Sequence, residues 1–512
     1  MGWVGACVVL SFLVLPACGE DDAVSAGDDP DAATQAGDGD GNGNTTGDGD
    51  GDGTGDGDAT GTGDGDGDGD SNTTGDGDGD TATLPAAQSC AALADALPTR
   101  AGATVLVTAA GGGSVTVDGQ GRTLRQVVSD ASPGDTILLE DGTYDFPQAA
   151  PGDYTGVYFT QPDITLRSRS GDASAVTLDS AYGDHGDQTA PITIAASGIV
   201  IADLTVRASV FHLVHLWEEG DGAVLHNLRL IDGGQQFVKG SPSGGTLDGV
   251  QVSCSEFLMT DTGRDNVWGY GASDGSTTCY TGGIDAHGSR DWRVLHNRFD
   301  GIHCNAGGVQ RPAHGMKADL RGGMTYTGGL SEHAIHMWDS AQGSAHLIDG
   351  NHILDCARGI GIGLRDEVYG TQIRNNMIFS RYAGSREHDV GIIVERGHDI
   401  AIEHNTIFYS ADDSYPSAIE YRWGSSSGLT VRNNLTNRNI RDRDGATATL
   451  AANVTDVAPA MFVDAAEGEL HLSSCDDASV VGAGEVLPAI TTDFDGDLRA
   501  GAHDVGADQC VP

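Results

Sequence analysis

Ile373-Arg374-Asn375-Asn376-Met377-Ile378, Ile402-Glu403-His404-Asn405-Thr406-Ile407 and Val431-Arg432-Asn433-Asn434-Leu435 repeat one pattern at intervals of 29 residues. An apolar residue and a polar pair ending in Asn precede alternating apolar positions. The pattern runs upstream through Ile348-Asp349-Gly350-Asn351-His352-Ile353, Val294-Leu295-His296-Asn297-Arg298-Phe299, Leu247-Asp248-Gly249-Val250, Val224-Leu225-His226-Asn227-Leu228 and Ile201-Ala202-Asp203-Leu204. With the turn residue of each as its anchor, the anchors are 203, 227, 249, 297, 351, 376, 405 and 434. Short strands with period-two alternation, broken by turn residues at a period near 25, predict a β-solenoid. Asn, Asp and Gly suit its corner because they tolerate a left-handed backbone. Asn side chains stacked there can also hydrogen-bond from coil to coil.

Outward from the repeat, Leu124 to Ala131 reads as a short amphipathic helix, followed by Pro133-Gly134-Asp135-Thr136-Ile137-Leu138-Leu139 and Gly142-Thr143-Tyr144. With these features the chain resembles the right-handed parallel β-helix family that includes pectate-lyase-like proteins, over roughly residues 100–510. The resemblance implies an all-β solenoid whose open first coil, an edge otherwise free to pair with other chains, is covered by that helix. It also implies action on acidic polysaccharides. The stretch Asp493 to Asp508 is similar to a closing segment of such proteins. Its alternating Asp residues suit either calcium or a cap of tight turns.

The rest of the chain is of a different kind. The formal net charge is −48, which excludes a general basic surface for nucleic acid. Residues 19–83 hold 20 of the 75 acids and no Lys or Arg. This Gly/Asp tract has nothing to bury, so chain entropy keeps it disordered and carboxylate repulsion extends it. It lacks the spaced apolar anchors of calcium repeats. Residues 1–17 read as a lipoprotein signal peptide, because Leu15-Pro16-Ala17-Cys18-Gly19 resembles a lipobox. The expected organisation is a signal at 1–17, a linker at 18–83 and a β-helix at 84–512. Cys18 would carry a lipid that anchors a monomeric domain at the cell envelope, outer membrane or surface.

A second strand follows in each coil. Aligned, these are Gly283-Ile284-Asp285-Ala286-His287, Ala334-Ile335-His336-Met337-Trp338, Gly359-Ile360-Gly361-Ile362-Gly363, Gly391-Ile392-Ile393-Val394-Glu395 and Ala418-Ile419-Glu420-Tyr421-Arg422. Alternation sends the Ile column inward and puts Asp285, His287, His336 and Trp338 on one outward patch. Such outward side chains should be removable at little cost in stability. Gly361 and Gly363 leave bare backbone beside the patch. Lys239 lies one coil earlier, in a register the sequence leaves open. The two longest anchor spacings mark insertions near 255–280 and 305–330, which should overhang this strand. His333 and His336, at i and i+3 of a strand, should face opposite ways.

These residues suit β-elimination on a uronate polymer, which needs a base and a positive charge facing the carboxylate. The candidate bases are His287 and His336. Lys317, Arg321 and Arg422, or a calcium ion on Asp285 and Glu332, are candidates to hold the carboxylate. Trp338, Trp268 and Tyr326 are candidates to stack on sugar rings. The alternatives are a non-catalytic glycan-binding or structural surface protein, and hydrolysis by paired carboxylates, Asp285 with Glu332 or Glu395. An exported chain should form disulfides. By position, the expected pairs are Cys254–Cys279, Cys304–Cys356 and Cys475–Cys510, with Cys90 left over.

Overall fold

The computed structural model describes residues 89–511 apart from 150–152, 184–189, 243, 268, 272–276, 280, 305–308, 311–324, 327–329, 365 and 384–387. The predicted signal, linker and Cys18 therefore lie outside the described residues.

From Thr136 onward the chain visits three sheets in turn, one strand in each per coil. The first sheet has 14 strands and ends at Thr449–Ala451; the second and third have 10 each. Every strand neighbour within the coils is parallel; the antiparallel strand pairs among the described residues lie at the amino-terminal ribbon, the insertions and the hairpin of Phe462–Asp464 with Glu469–Leu472. The fold is a right-handed parallel β-helix. Its interior is filled by in-register columns, such as Val238, Ile284, Ile335, Ile360, Ile392 and Ile419 of the third sheet. Phe237, Phe257 and Phe299 form another stack, with ring centroids 6.1 and 4.4 Å apart.

The predicted helix spans Leu124–Asp130 and is started by a capping box between Thr123 and Gln126. It buries Leu124, Val127 and Val128 in the same core that runs up the coils.

The corner between the first and second sheets holds two kinds of residue, not one. A left-handed residue comes first: Asp203, Asn227, Cys254, His296, Gly350, Asn375, His404 and Asn433. The next position carries the ladder. Asn297, Asn351, Asn376, Asn405 and Asn434 each donate a side-chain N–H to the amide oxygen of the Asn one coil on, ending at Asn453. The expected anchors 203 and 227 are thus left-handed residues, whereas 297 to 434 are ladder residues. Gly249 belongs to a different turn, before strand Gln251–Ser253, and Cys254 occupies the corner of that coil.

Two of the three expected disulfide pairs are different in the structure. Cys475–Cys510 forms, but Cys254 pairs with Cys90 and Cys279 with Cys304, leaving Cys356 a buried thiol. Cys254 meets Cys90 because the helix Cys90–Asp95 docks beside it, Leu93 packing with Leu295 and Leu347. Cys356 misses Cys304 because Ala357 N–H bonds the Ile302 carbonyl, which sets Cys356 opposite Ile302, two residues short.

Candidate functional site

The third sheet builds the site. Strands Val214–Leu216, Gln236–Gly240, Gly282–Ala286, His333–Met337 and Arg358–Ile362 are consecutive neighbours. Their register stacks His215, Lys239, Asp285, His336 and Gly361 in one outward column. Lys239, left open by the sequence, therefore joins the patch. The residues just past the strands form a second column, through Trp217, Ser241, His287, Trp338 and Gly363.

The column is tightly connected. Lys239 Nζ lies 2.6 Å from Asp285 Oδ2, and His287 Nε2 lies 3.4 Å from the same oxygen. On its other side His287 Nδ1 is 3.5 Å from Asp339 Oδ1. His336 Nδ1 is 3.8 Å from Asp285 Oδ1, and its Nε2 is 3.2 Å from the Gly363 carbonyl. The indole of Trp338 stacks on His287 and leans against His336, both at 5.0 Å between centroids. His215 adds an imidazole 4.4 Å from the Trp217 ring.

Charges here are tuned in opposite directions. Burial alone would raise the Asp285 carboxyl, but the Lys239 ammonium and His287 together hold it well below the usual carboxylate range. Burial raises the Asp339 carboxyl. His336, His333 and His212, whose ring lies 5.1 Å from that of His215, are pushed down by burial, so each is a neutral imidazole at neutral pH.

Two expectations fail on this face. Outward register does not make these side chains solvent-exposed: His336 is only 3 % exposed, because the rings of His333 and Trp338 pack around it. Nor do His333 and His336 face opposite ways, since their ring centroids are 4.6 Å apart. Strict alternation breaks between them, since the consecutive residues Ala334 and Ile335 are both buried in the core. From the coil of Gly283 onward the position of Ala334 carries small residues, Gly283, Ala334, Gly359, Gly391 and Ala418, whereas the coil before has Phe237 there. A Cβ on Gly283 or Gly359 would stand 2.2 or 2.0 Å from a carbonyl oxygen of the next coil.

The remaining candidates are dispersed. Glu332 lies beside His333 and His336 rather than with Asp285. Arg422 is held by both Glu395 oxygens at 3.0–3.1 Å and by Asp444 at 2.7 Å, so it is not brought to the cluster. Trp268, Lys317 and Arg321 lie outside the described residues, and Tyr326 is placed as part of the short strand Thr325–Tyr326. That strand pairs with Val309–Gln310, while Gly269–Gly271 pairs with Thr277–Cys279, and the two ribbons lie against each other. Asp493, in the closing segment, accepts backbone N–H groups from Asp495, Asp497 and Gln509, the work of a turn cap.

No protein-family model and no curated protein matches the sequence. Solved structures do align with it. The pectate lyase Pel9A does so at 13 % identity over 82 % of this chain and 98 % of its own, with a TM-score of 0.46. An alginate lyase from Paenibacillus sp. str. FPU-7 aligns at 14 % over 64 % and 99 %, with a TM-score of 0.31. The A-module of the Azotobacter vinelandii mannuronan C-5 epimerase AlgE6 aligns at 13 % over 65 % and 93 %, with a TM-score of 0.25. At these values the likeness assigns no residue and no reaction to this chain.

Proposed function

We propose that the domain binds an acidic polysaccharide at the Trp338 face and cleaves it by β-elimination. The observation that carries this reading is the position of His287, between a carboxylate held ionised (Asp285) and one whose pKa is raised (Asp339), and against the Trp338 ring. Neighbouring groups driven apart in pKa are the usual mark of an acid and a base. In the proposed step His287 takes the proton α to the uronate carboxylate. The electron pair forms the new double bond, and the β C–O bond breaks. The departing oxygen takes a proton from Asp339. Asp285, fixed by Lys239, orients His287 and stabilises the imidazolium that forms.

His287→Ala should remove turnover while leaving polymer binding within about twofold, and Asp339→Asn should slow turnover at unchanged binding. Unchanged turnover in His287→Ala contradicts the assignment. The burial of Asp285 and His336 favours a second reading, a glycan-binding surface on a structural polar network. Binding without a product would support it.

We also propose an extracytoplasmic location, which the three disulfides suit, and a lipid anchor on Cys18. Cys18→Ala should release the protein from the membrane fraction; if it stays there, the anchor is wrong.

A further inference from the structure

The break in alternation at Ala334 gathers a donor set that a regular strand would scatter. We propose that Glu332, His333 and His336 hold a divalent transition-metal ion of the zinc class. One carboxylate oxygen and one nitrogen from each imidazole lie within 4.8 Å of one another.

Further observations point to a ligand at this place. His333 is 8 % exposed, and among the described residues neither of its ring nitrogens has a hydrogen-bond partner. A buried imidazole left unpaired is costly unless something takes its lone pair. His336 faces the Gly363 carbonyl through Nε2. A carbonyl only accepts, so Nε2 carries the proton and Nδ1 keeps a lone pair. Metal-bound imidazoles are commonly held in this way, by an acceptor facing the ring nitrogen that does not bind the metal.

The backbone also makes room. A Cβ on Gly361 would stand 2.7 Å from the His333 ring. One on Gly282 would stand 2.9 Å from the Glu332 Cβ and 3.6 Å from the Gln236 Cγ. Gln236 is 1 % exposed and neither amide atom is hydrogen-bonded among the described residues. Asp285 Oδ1, also without a hydrogen bond, lies 3.8 Å from His336 Nδ1. Buried polar atoms lacking partners thus flank the three ligands. The nearby cations have their own counterions: Lys239 has Asp285, and Arg358 has Asp389 and the Ser331 carbonyl.

Two imidazoles and one carboxylate suit zinc, whereas calcium takes six to eight oxygens. The expected calcium site on Asp285 and Glu332 is replaced, since Asp285 is the partner of Lys239. This inference deepens the elimination reading and rests on it only for the ion's role, placing positive charge opposite the uronate carboxylate.

The test uses the full chain without substrate. Zinc content is measured after dialysis against a weak chelator, and the visible spectrum is recorded with cobalt(II) in its place. One zinc per chain should be retained, and cobalt should give the intense bands of a four- or five-coordinate nitrogen-containing site. His333→Asn and His336→Asn should each weaken zinc binding at least about tenfold, with His398→Asn unchanged. Gly361→Ala, which removes no ligand, should also weaken it by crowding His333. No retained zinc, calcium retained in preference to zinc, or zinc content unchanged in both Asn variants overturns the proposal. If the Asn variants misfold, the cobalt spectrum of the unaltered chain decides, and weak octahedral bands alone overturn it. Zinc bound without polymer cleavage leaves this site standing and removes the elimination reading; cleavage without zinc does the reverse.

Discussion

Lys239→Met tests the electrostatic frame of the site. Lys239 and Asp285 form a buried pair, with side chains 12 % and 5 % exposed. Methionine fills the space of the lysine stem but leaves the Asp285 carboxylate with only His287 at 3.4 Å and His336 at 3.8 Å. Breaking a buried pair from one side costs about 3–5 kcal/mol, most of it from the charge left behind. In the unaltered protein the folded carboxyl sits below its unfolded value. Its contribution is therefore present above about pH 4 and lost as pH falls through the folded value. Without Lys239 burial dominates and the folded value rises above the unfolded one. The sign reverses, so the variant's deficit should be greatest at pH 7 and shrink towards pH 4 as the carboxyl takes up a proton. Urea unfolding at pH 7 and at pH 5 measures this directly. The double variant Lys239→Met/Asp285→Asn removes both charges and should recover most of the loss. A loss below about 1 kcal/mol at pH 7, or a double variant no better than the single, refutes the reasoning.

Other outcomes follow from the same geometry. Asn376→Ala removes an amide that bonds Asn351, Asn405 and the carbonyls of Ile348 and Arg374, and should cost about 3–5 kcal/mol in urea unfolding. Met337→Ala leaves a cavity in the core and should cost about 2–5 kcal/mol, against about 1–3 kcal/mol for the buried, hydrogen-bonded His336→Ala. His303 and His388, pushed down to about 4 by burial, and His346, to about 3, bind protons later than their unfolded counterparts. Stability measured between pH 7 and pH 5 should therefore fall, by roughly 1–2 kcal/mol for each. Cys254→Ser opens the bond to Cys90 and should cost about 2–5 kcal/mol, while the Cys356 thiol should react with a labelling reagent only after unfolding.

The register of the third sheet was legible because Ile284, Ile335, Ile360, Ile392 and Ile419 mark the inward face in every coil, and a one-residue slip would expose all of them. The patch of Asp285, His287, His336 and Trp338 followed from that column. The corner was read less well, since Asp and Asn serve both as left-handed residues and as ladder residues, and a single Asn does not say which. The disulfides were out of reach for a similar reason. Cys90 belongs to a helix whose docking site lies far along the chain, and Cys304 and Cys356 differ in register by two residues. His333 was missed because alternation assumes a flat strand. The signal was present in the small residues Gly283, Ala334, Gly359, Gly391 and Ala418, which repeat where the alternation breaks.

The most direct test of the proposed chemistry counts bonds. The purified full chain is incubated with a panel of uronate polymers, and new reducing ends and new carbon–carbon double bonds are measured together. β-Elimination at His287 predicts one double bond, absorbing in the ultraviolet, for each new reducing end on at least one polymer. Reducing ends without double bonds would mean hydrolysis, and polymer binding with neither product would mean a binding surface; either result contradicts the account.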